Sequence, residues 1–221
     1  MKKISPANFT IPLTILISLS LAILPGCAKK FGQDNLREIN SITLARLESG
    51  PLLRVSFVTG ALAGMGVILG ELGAGAGIGS SYLLMKKNGE KIQTYCKLPD
   101  FGELLAERMF LKLSGETGYW PNMVVEDGIV DNDFSNDNHI LLVKVKSIHV
   151  KDGEGLAIDV ETTLKEPNNQ VLFKKTFRYL SKYYDREDNL YSLTKQRGKQ
   201  FKIEYDYAAE TISQDFIDYL N

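Results

Sequence analysis

Four kinds of hydrophobic pattern follow one another along this chain, and each predicts a different kind of element. From Ile11 to Leu24 the residues are uncharged and mostly apolar. A polar stretch over 28–41 follows and reads as a tether. Ile42 to Leu47 fits a short strand, while Leu36, Ile39, Thr43 and Leu47 also fit one face of a helix. Periodicity alone does not separate the two over so short a run. Gly50-Pro51 ends whichever element precedes it. From Val55 to Met85 there is a single charged side chain, Glu71, and glycine recurs at Gly60, Gly64, Gly66, Gly70, Gly73, Gly75, Gly77 and Gly79.

Beyond Lys86 ordinary globular patterning returns. Asp100 and Glu103 form a capping box for a helix running to about Leu113, stopped by Gly115, with Phe101, Leu105, Ala106 and Met109 as its apolar stripe. Tyr119 to Val125 predicts a strand. Ile140 to Val150, Leu156 to Leu164 and Val171 to Leu180 predict a three-stranded meander, with turns at Asp152-Gly153-Glu154-Gly155 and Pro167-Asn168-Asn169. Tyr183 to Lys202 is polar. Tyr205, Ala208, Ala209, Ile212, Phe216 and Leu220 then recur at helical spacing, which predicts a closing helix over about 204–220. A helix before and after a mainly antiparallel sheet predicts an α+β fold, a two-layer sandwich of sheet and two packed helices. The apolar glycine-rich hairpin is additional to it.

The glycines give G-x-x-x-G spacings at Gly60/Gly64, Gly66/Gly70, Gly73/Gly77 and Gly75/Gly79. Such spacing lines one helix face with missing side chains, so that a second backbone approaches closely. Arg54 precedes the run and Lys86-Lys87 ends it. A hairpin turning near Glu71 has arms of about 15 residues, roughly 22 Å long and short of a hydrocarbon core of about 30 Å. Three readings stay open for it: an element in or on a membrane, an element docked on a partner or a second copy, and a glycine-rich loop.

Charge and candidate chemistry narrow the function. Lys2 and Lys3, the apolar run and Leu24-Pro25-Gly26-Cys27 have the form of a secretory leader. Leu24, Gly26 and Cys27 stand on the lipobox positions, so this leader resembles a bacterial lipoprotein signal, with Pro25 a less usual choice. The resemblance implies cleavage before Cys27, a diacylglyceryl thioether on its sulfur and a further acyl chain on its new amine. Ala28, where an aspartate would mark inner-membrane retention, implies an outer-membrane lipoprotein facing the periplasm, with the outer face of the inner membrane as the alternative. Residues 1–26 are then signal, 27–52 tether and first element, 53–87 the hairpin and 88–221 the periplasmic domain. Loss of the signal moves the formal charge from −1 to about −3, which gives no electrostatic reason for a nucleic-acid partner. Cys96 is then the one remaining thiol, either buried or open to intermolecular pairing.

Residues 55–85 resemble the glycine-zipper hairpin of small bacterial envelope lipoproteins. Asn138-His139-Ile140-Leu141-Leu142-Val143-Lys144-Val145, the meander and the closing helix with Tyr207-Ala208-Ala209-Glu210 resemble lipopolysaccharide-assembly, ABC-transport auxiliary and curli-secretion lipoproteins. That resemblance bears on the fold more than on the function. With the Cys27 anchor and the hairpin, the expected function is a non-enzymatic accessory or assembly factor working through protein contacts, and the alternative is a carrier holding lipid or glycolipid between sheet and helix.

No catalytic constellation is legible. His139 and His149 lack zinc-site spacing. Asp131, Asp133, Ser135 and Asp137 alternate as in a calcium loop but without its central glycine and closing glutamate, so the acidic stretch reads as a solvated loop. No phosphate loop or nucleophile elbow occurs. The expectation is no enzyme, no metal and no cofactor. Residues 165–202 hold ten Lys/Arg against four Asp/Glu with tyrosines interleaved, either a face for anionic headgroups or an acidic partner, or a solvated surface.

Overall fold

Thirteen consecutive residues, His139–Lys151, form the strand on which the whole sheet is assembled. The computed structural model describes residue 36 and residues 38–46, 53–56, 82–117, 119–127, 138–151, 155–181 and 189–221. All of these lie in one compact unit, Gly32–Asn221; the other unit, Met1–Phe31, falls outside them. The described elements are β1 (Ser41–Arg46), β2 (Arg54–Ser56), α1 (Tyr82–Cys96), α2 (Phe101–Phe110), β3 (Asn122–Asp127), β4 (His139–Lys151), β5 (Gly155–Lys165), β6 (Val171–Leu180) and α3 (Asn189–Leu220). The class is α+β, six strands packed with helices.

The strands run in the order β3-β1-β4-β5-β6, with β2 also on β4. β4, β5 and β6 are the antiparallel meander that the alternation predicts. The other half is parallel: β1 pairs with both β3 and β4, and β2 pairs with β4. The sheet is therefore mixed. β1 meets β4 at His139–Val143 and β2 meets it at His149–Lys151, so the two act as one strand line interrupted between Arg46 and Arg54. A register shift at Val145/Ser147 leaves Lys146 as a bulge in β4.

One face of the sheet carries the helices. Phe173 and Phe177 project from β6 onto Phe216 and Tyr219 of α3, with ring centroids 5.8–6.0 Å apart. Edge-to-face packing of this kind contributes about 0.5–1.5 kcal/mol per pair beyond area burial. Register carries that face across to Leu164, Leu141 and Leu44, and to Val160 and Val145. On the opposite, outer face, β5 presents Asp159 and Glu161. Arg178 pairs with Asp159 at 2.6 Å, Ser147 donates to it at 2.8 Å, and Lys174 and Lys146 reach Glu161 at 3.1 and 3.8 Å. Further along that face Thr43, Ala45, Ile140 and Leu142 are buried.

The helix ends follow local chemistry. Asp100 caps α2 by accepting from the Glu103 backbone N–H at 3.1 Å and also pairs with Arg46 at 3.2 Å. Gly115 does not stop that helix: a π-helical turn, Leu111–Glu116, continues it. α1 has no counterpart in the expected elements. Its first residues fall within the span assigned to the hairpin, and the glycine spacing masked the helical pattern that follows. It ends with Lys97 in the left-handed region (φ 49°), where Leu98 N–H donates to the Gln93 carbonyl oxygen at 3.1 Å. Gly89 lets α1 touch the chain entering β2: a Cβ there would sit 1.4 Å from the Leu53 carbonyl oxygen. Ile42–Leu47 is open between strand and helix by sequence; its described part belongs to strand β1, Ser41–Arg46, and Leu47 lies outside the described residues.

Candidate functional site

The residues with the clearest expected roles, Cys27 and the eight glycines from Gly60 to Gly79, lie outside the described residues. So does most of the acidic stretch 126–138, whose Glu126 and Asp127 belong to strand β3 rather than to a loop. What the structure does position is the surface around α3 and the two edges of the sheet.

α3 is two helices joined at a break. Lys195 is extended (φ −52°, ψ 147°), and Gln196, Arg197 and Gly198 follow with φ of 53°, 54° and 74°. Two successive non-glycine residues in the left-handed region are costly, about 1–2 kcal/mol each. Gly198 is required for a second reason. A Cβ there would stand 2.4 Å from Cys96 Cβ and 2.6 Å from its Sγ. The break thus seats the end of α1 against α3. Cys96 is fully buried, and burial pushes its thiol up to about 11, only partly offset by Lys202. The thiol stays protonated and acts as packing, the first of the two roles open to it by sequence.

A cavity of about 430 Å3 lies beside the break, lined by Ser192, Lys195, Gln196, Lys199, Gln200 and Ile203. Of the cations in the basic 165–202 stretch, Lys195 and Lys199 line it, beside the apolar Ile203. Gln200 also donates to Glu204 at 3.5 Å. Glu204 is 1 % exposed and accepts a 2.6 Å hydrogen bond from the Tyr179 hydroxyl. Burial first, and then the Glu204 carboxylate, push the Tyr179 hydroxyl above its usual range. The hydroxyl therefore remains a donor, and the pair ties β6 to α3 rather than activating a nucleophile. Lys112, 7 % exposed, ties the π-helical turn to α3 through Glu210 at 2.7 Å and Gln214 at 3.2 Å.

His139 and His149 both lie on β4, at its two ends. No group of three metal-ligating side chains occurs among the described residues.

The sheet edges differ. β6 carries Lys174, Lys175 and Arg178, all exposed. β3 carries no cation. Its Val124 and Val125, on opposite faces, are 54 % and 40 % exposed. Sequence reasoning identified β3 as a strand but not as an edge, because the parallel pairing that places β1 inside it leaves no local signal.

No protein-family model matches this chain, and no curated protein matches it in sequence. Among solved structures, one titled "Crystal structure of uncharacterized protein" is similar at a TM-score of 0.32 and 16% identity, over 81% of this chain and 99% of that one. So distant a likeness carries no argument about function.

Proposed function

We propose that this is a non-enzymatic, lipid-anchored cell-envelope protein. It acts as an accessory or assembly factor of a transport or outer-membrane complex through protein contacts. The observation that carries the reading is the leader ending in Leu24-Pro25-Gly26-Cys27. Acyl chains on Cys27 anchor the chain stably, since each buried methylene contributes about 0.8 kcal/mol and two chains suffice where one is marginal. The anchor faces the periplasm from the outer membrane, and the glycine-rich run engages membrane or partner beside it. The domain then offers its charged outer face and its edges for contact.

The carrier alternative is less well supported. A lipid held between sheet and helix needs space where Phe173, Phe177, Phe216 and Tyr219 pack ring against ring.

Replacing Cys27 by Ser removes the sulfur that forms the thioether. The expected outcome is an unprocessed, unacylated precursor by mass spectrometry, against a wild-type chain that begins at Cys27 and carries added acyl mass. A wild-type N-terminus elsewhere, or no added mass at Cys27, overturns the proposal.

A further inference from the structure

We infer that β3 is a self-association edge: two copies of this chain pair antiparallel through β3, with Val124 of each on the two-fold axis. The inference concerns the homo-oligomer side of partner binding and rests on the sheet alone, so it stands or falls independently of Cys27 acylation.

The first observation is what the edge exposes. Edge strands that stay unpaired are commonly blunted by charged residues, lysine above all. β6 follows that rule with Lys174 and Arg178, whose side chains are 58 % and 64 % exposed. β3 follows it only at its end. Its two charges, Glu126 and Asp127, close the strand, no cation lies on it, Val124 and Val125 at its middle are exposed on opposite faces, and no described residue pairs with its outer side. Valine has high strand propensity because it packs well on a pleated, half-buried surface, so the pair of valines is suited to a neighbouring strand.

Symmetry and charge then fix the register. A two-fold axis perpendicular to the sheet keeps both helix layers on one side. Side chains alternate in period two, so only residues of like face can pair across that axis. Centring on Val124 sets Val124 against Val124 of the second copy, Met123 against its Val125, and Asn122 against its Glu126. Glu126 has no ion-pair partner among the described residues. Asn122 Nδ2 donates one hydrogen bond to the Asn40 carbonyl oxygen at 3.3 Å, which leaves its second N–H for that carboxylate. The two copies' Glu126 side chains fall at opposite ends of the pair, so no like charges meet. Centring one pair further along, on Val125, sets Val124 against Glu126 and loses this match. An equivalent β6 pair centred on Thr176 sets Lys174 against Arg178, opposing like charges.

The test uses the full chain in its own membranes and in mild detergent. With Val124→Cys, oxidation is expected to give a covalent dimer well above the level from Val171→Cys or Leu180→Cys, which are similarly exposed at 50 % and 47 %. Wild type supplies the background from the native cysteines. Val124→Lys sets like charges on the axis and is expected to weaken self-association about tenfold or more by sedimentation. Val124→Glu should do the same alone. An equal mixture of the Lys and Glu chains should recover the dimer, which also shows that both variants fold. A wild-type chain that sediments as a monomer at every concentration overturns the inference. So does cross-linking at Val124 no greater than at Val171 and Leu180, cross-linking there to a different protein, or failure of the mixed chains to recover.

Discussion

In β5 and β6 buried and exposed positions largely alternate, and the exposed ones on the outer face are charged and paired: Asp159 with Arg178, Glu161 with Lys174. In β1 and the start of β4 the pattern is absent. Ile42 to Ala45 and Ile140 to Val143 are all at most 4 % exposed, so both faces of the sheet are buried there. The antiparallel half is a half-wet surface, whereas β1 and the start of β4, inside the parallel half, are core. Parallel strands with both faces covered are expected to be continuously apolar, and the interior of β1 meets that expectation with one threonine, Thr43.

The largest effect that separates the halves comes from matched substitutions on the outer face. Leu142→Ala in the parallel half should cost about 2–5 kcal/mol of unfolding free energy. Thr176→Ala, on the same face in β6, should stay within about 0.5 kcal/mol of wild type. Denaturant titration of both variants checks this. Equal losses would erase the distinction.

That difference in burial also decides what the sequence shows. The meander is legible because alternation and turn residues agree: Asn169, at φ 66°, and Gly155, at φ 85°, stand in the two segments read as turns. The closing helix and the Asp100 cap are legible for the same reason, local chemistry matched to local structure. β1 is ambiguous because a strand buried on both faces loses its period of two. Its partners lie far along the chain, so the parallel pairing and the exposed edge of β3 leave no trace nearby. α1 is hidden by composition: Lys86, Lys87, Glu90 and Lys91 surround the apolar positions, and Gly89 reads as a helix breaker until its contact with Leu53 explains it.

Gly89→Ala sharpens the comparison next. In a free helix the change is favourable by about 1 kcal/mol. Here the added methyl meets the Leu53 carbonyl oxygen, so the net result should be a loss toward the upper end of the ~1–3 kcal/mol overpacking range. A gain in stability on denaturant titration would mean that α1 does not press on the entry to β2.

The smallest effect lies on the charged half. The hydrogen bond from Arg178, and then that from Ser147, hold the Asp159 carboxyl below its ordinary value against the opposing effect of burial. Its folded pKa is depressed, so its contribution is present above the unfolded carboxylate value, near 3.8, and fades as pH falls through the folded value. Arg178 is mostly exposed, which keeps the contribution within about 1 kcal/mol. Asp159→Asn should therefore be slightly less stable than wild type at pH 7, with the gap closing in strong acid. A gap that widens there would reverse the assignment.

Among the described strands β1 is the first to be made, and it ends buried on both faces between two later ones. Its neighbours, β3 and β4, begin only at Asn122 and His139. Ribosomes and export channels deliver a chain from its N-terminus, so three apolar residues, Ile42, Leu44 and Ala45, are made well before either strand that will flank them. Long-range parallel pairing of this kind folds slowly and leaves such segments open to aggregation. For this protein the vulnerable interval is set by the arrival of β4, and a chain cut short before His139 is left holding its own centre exposed.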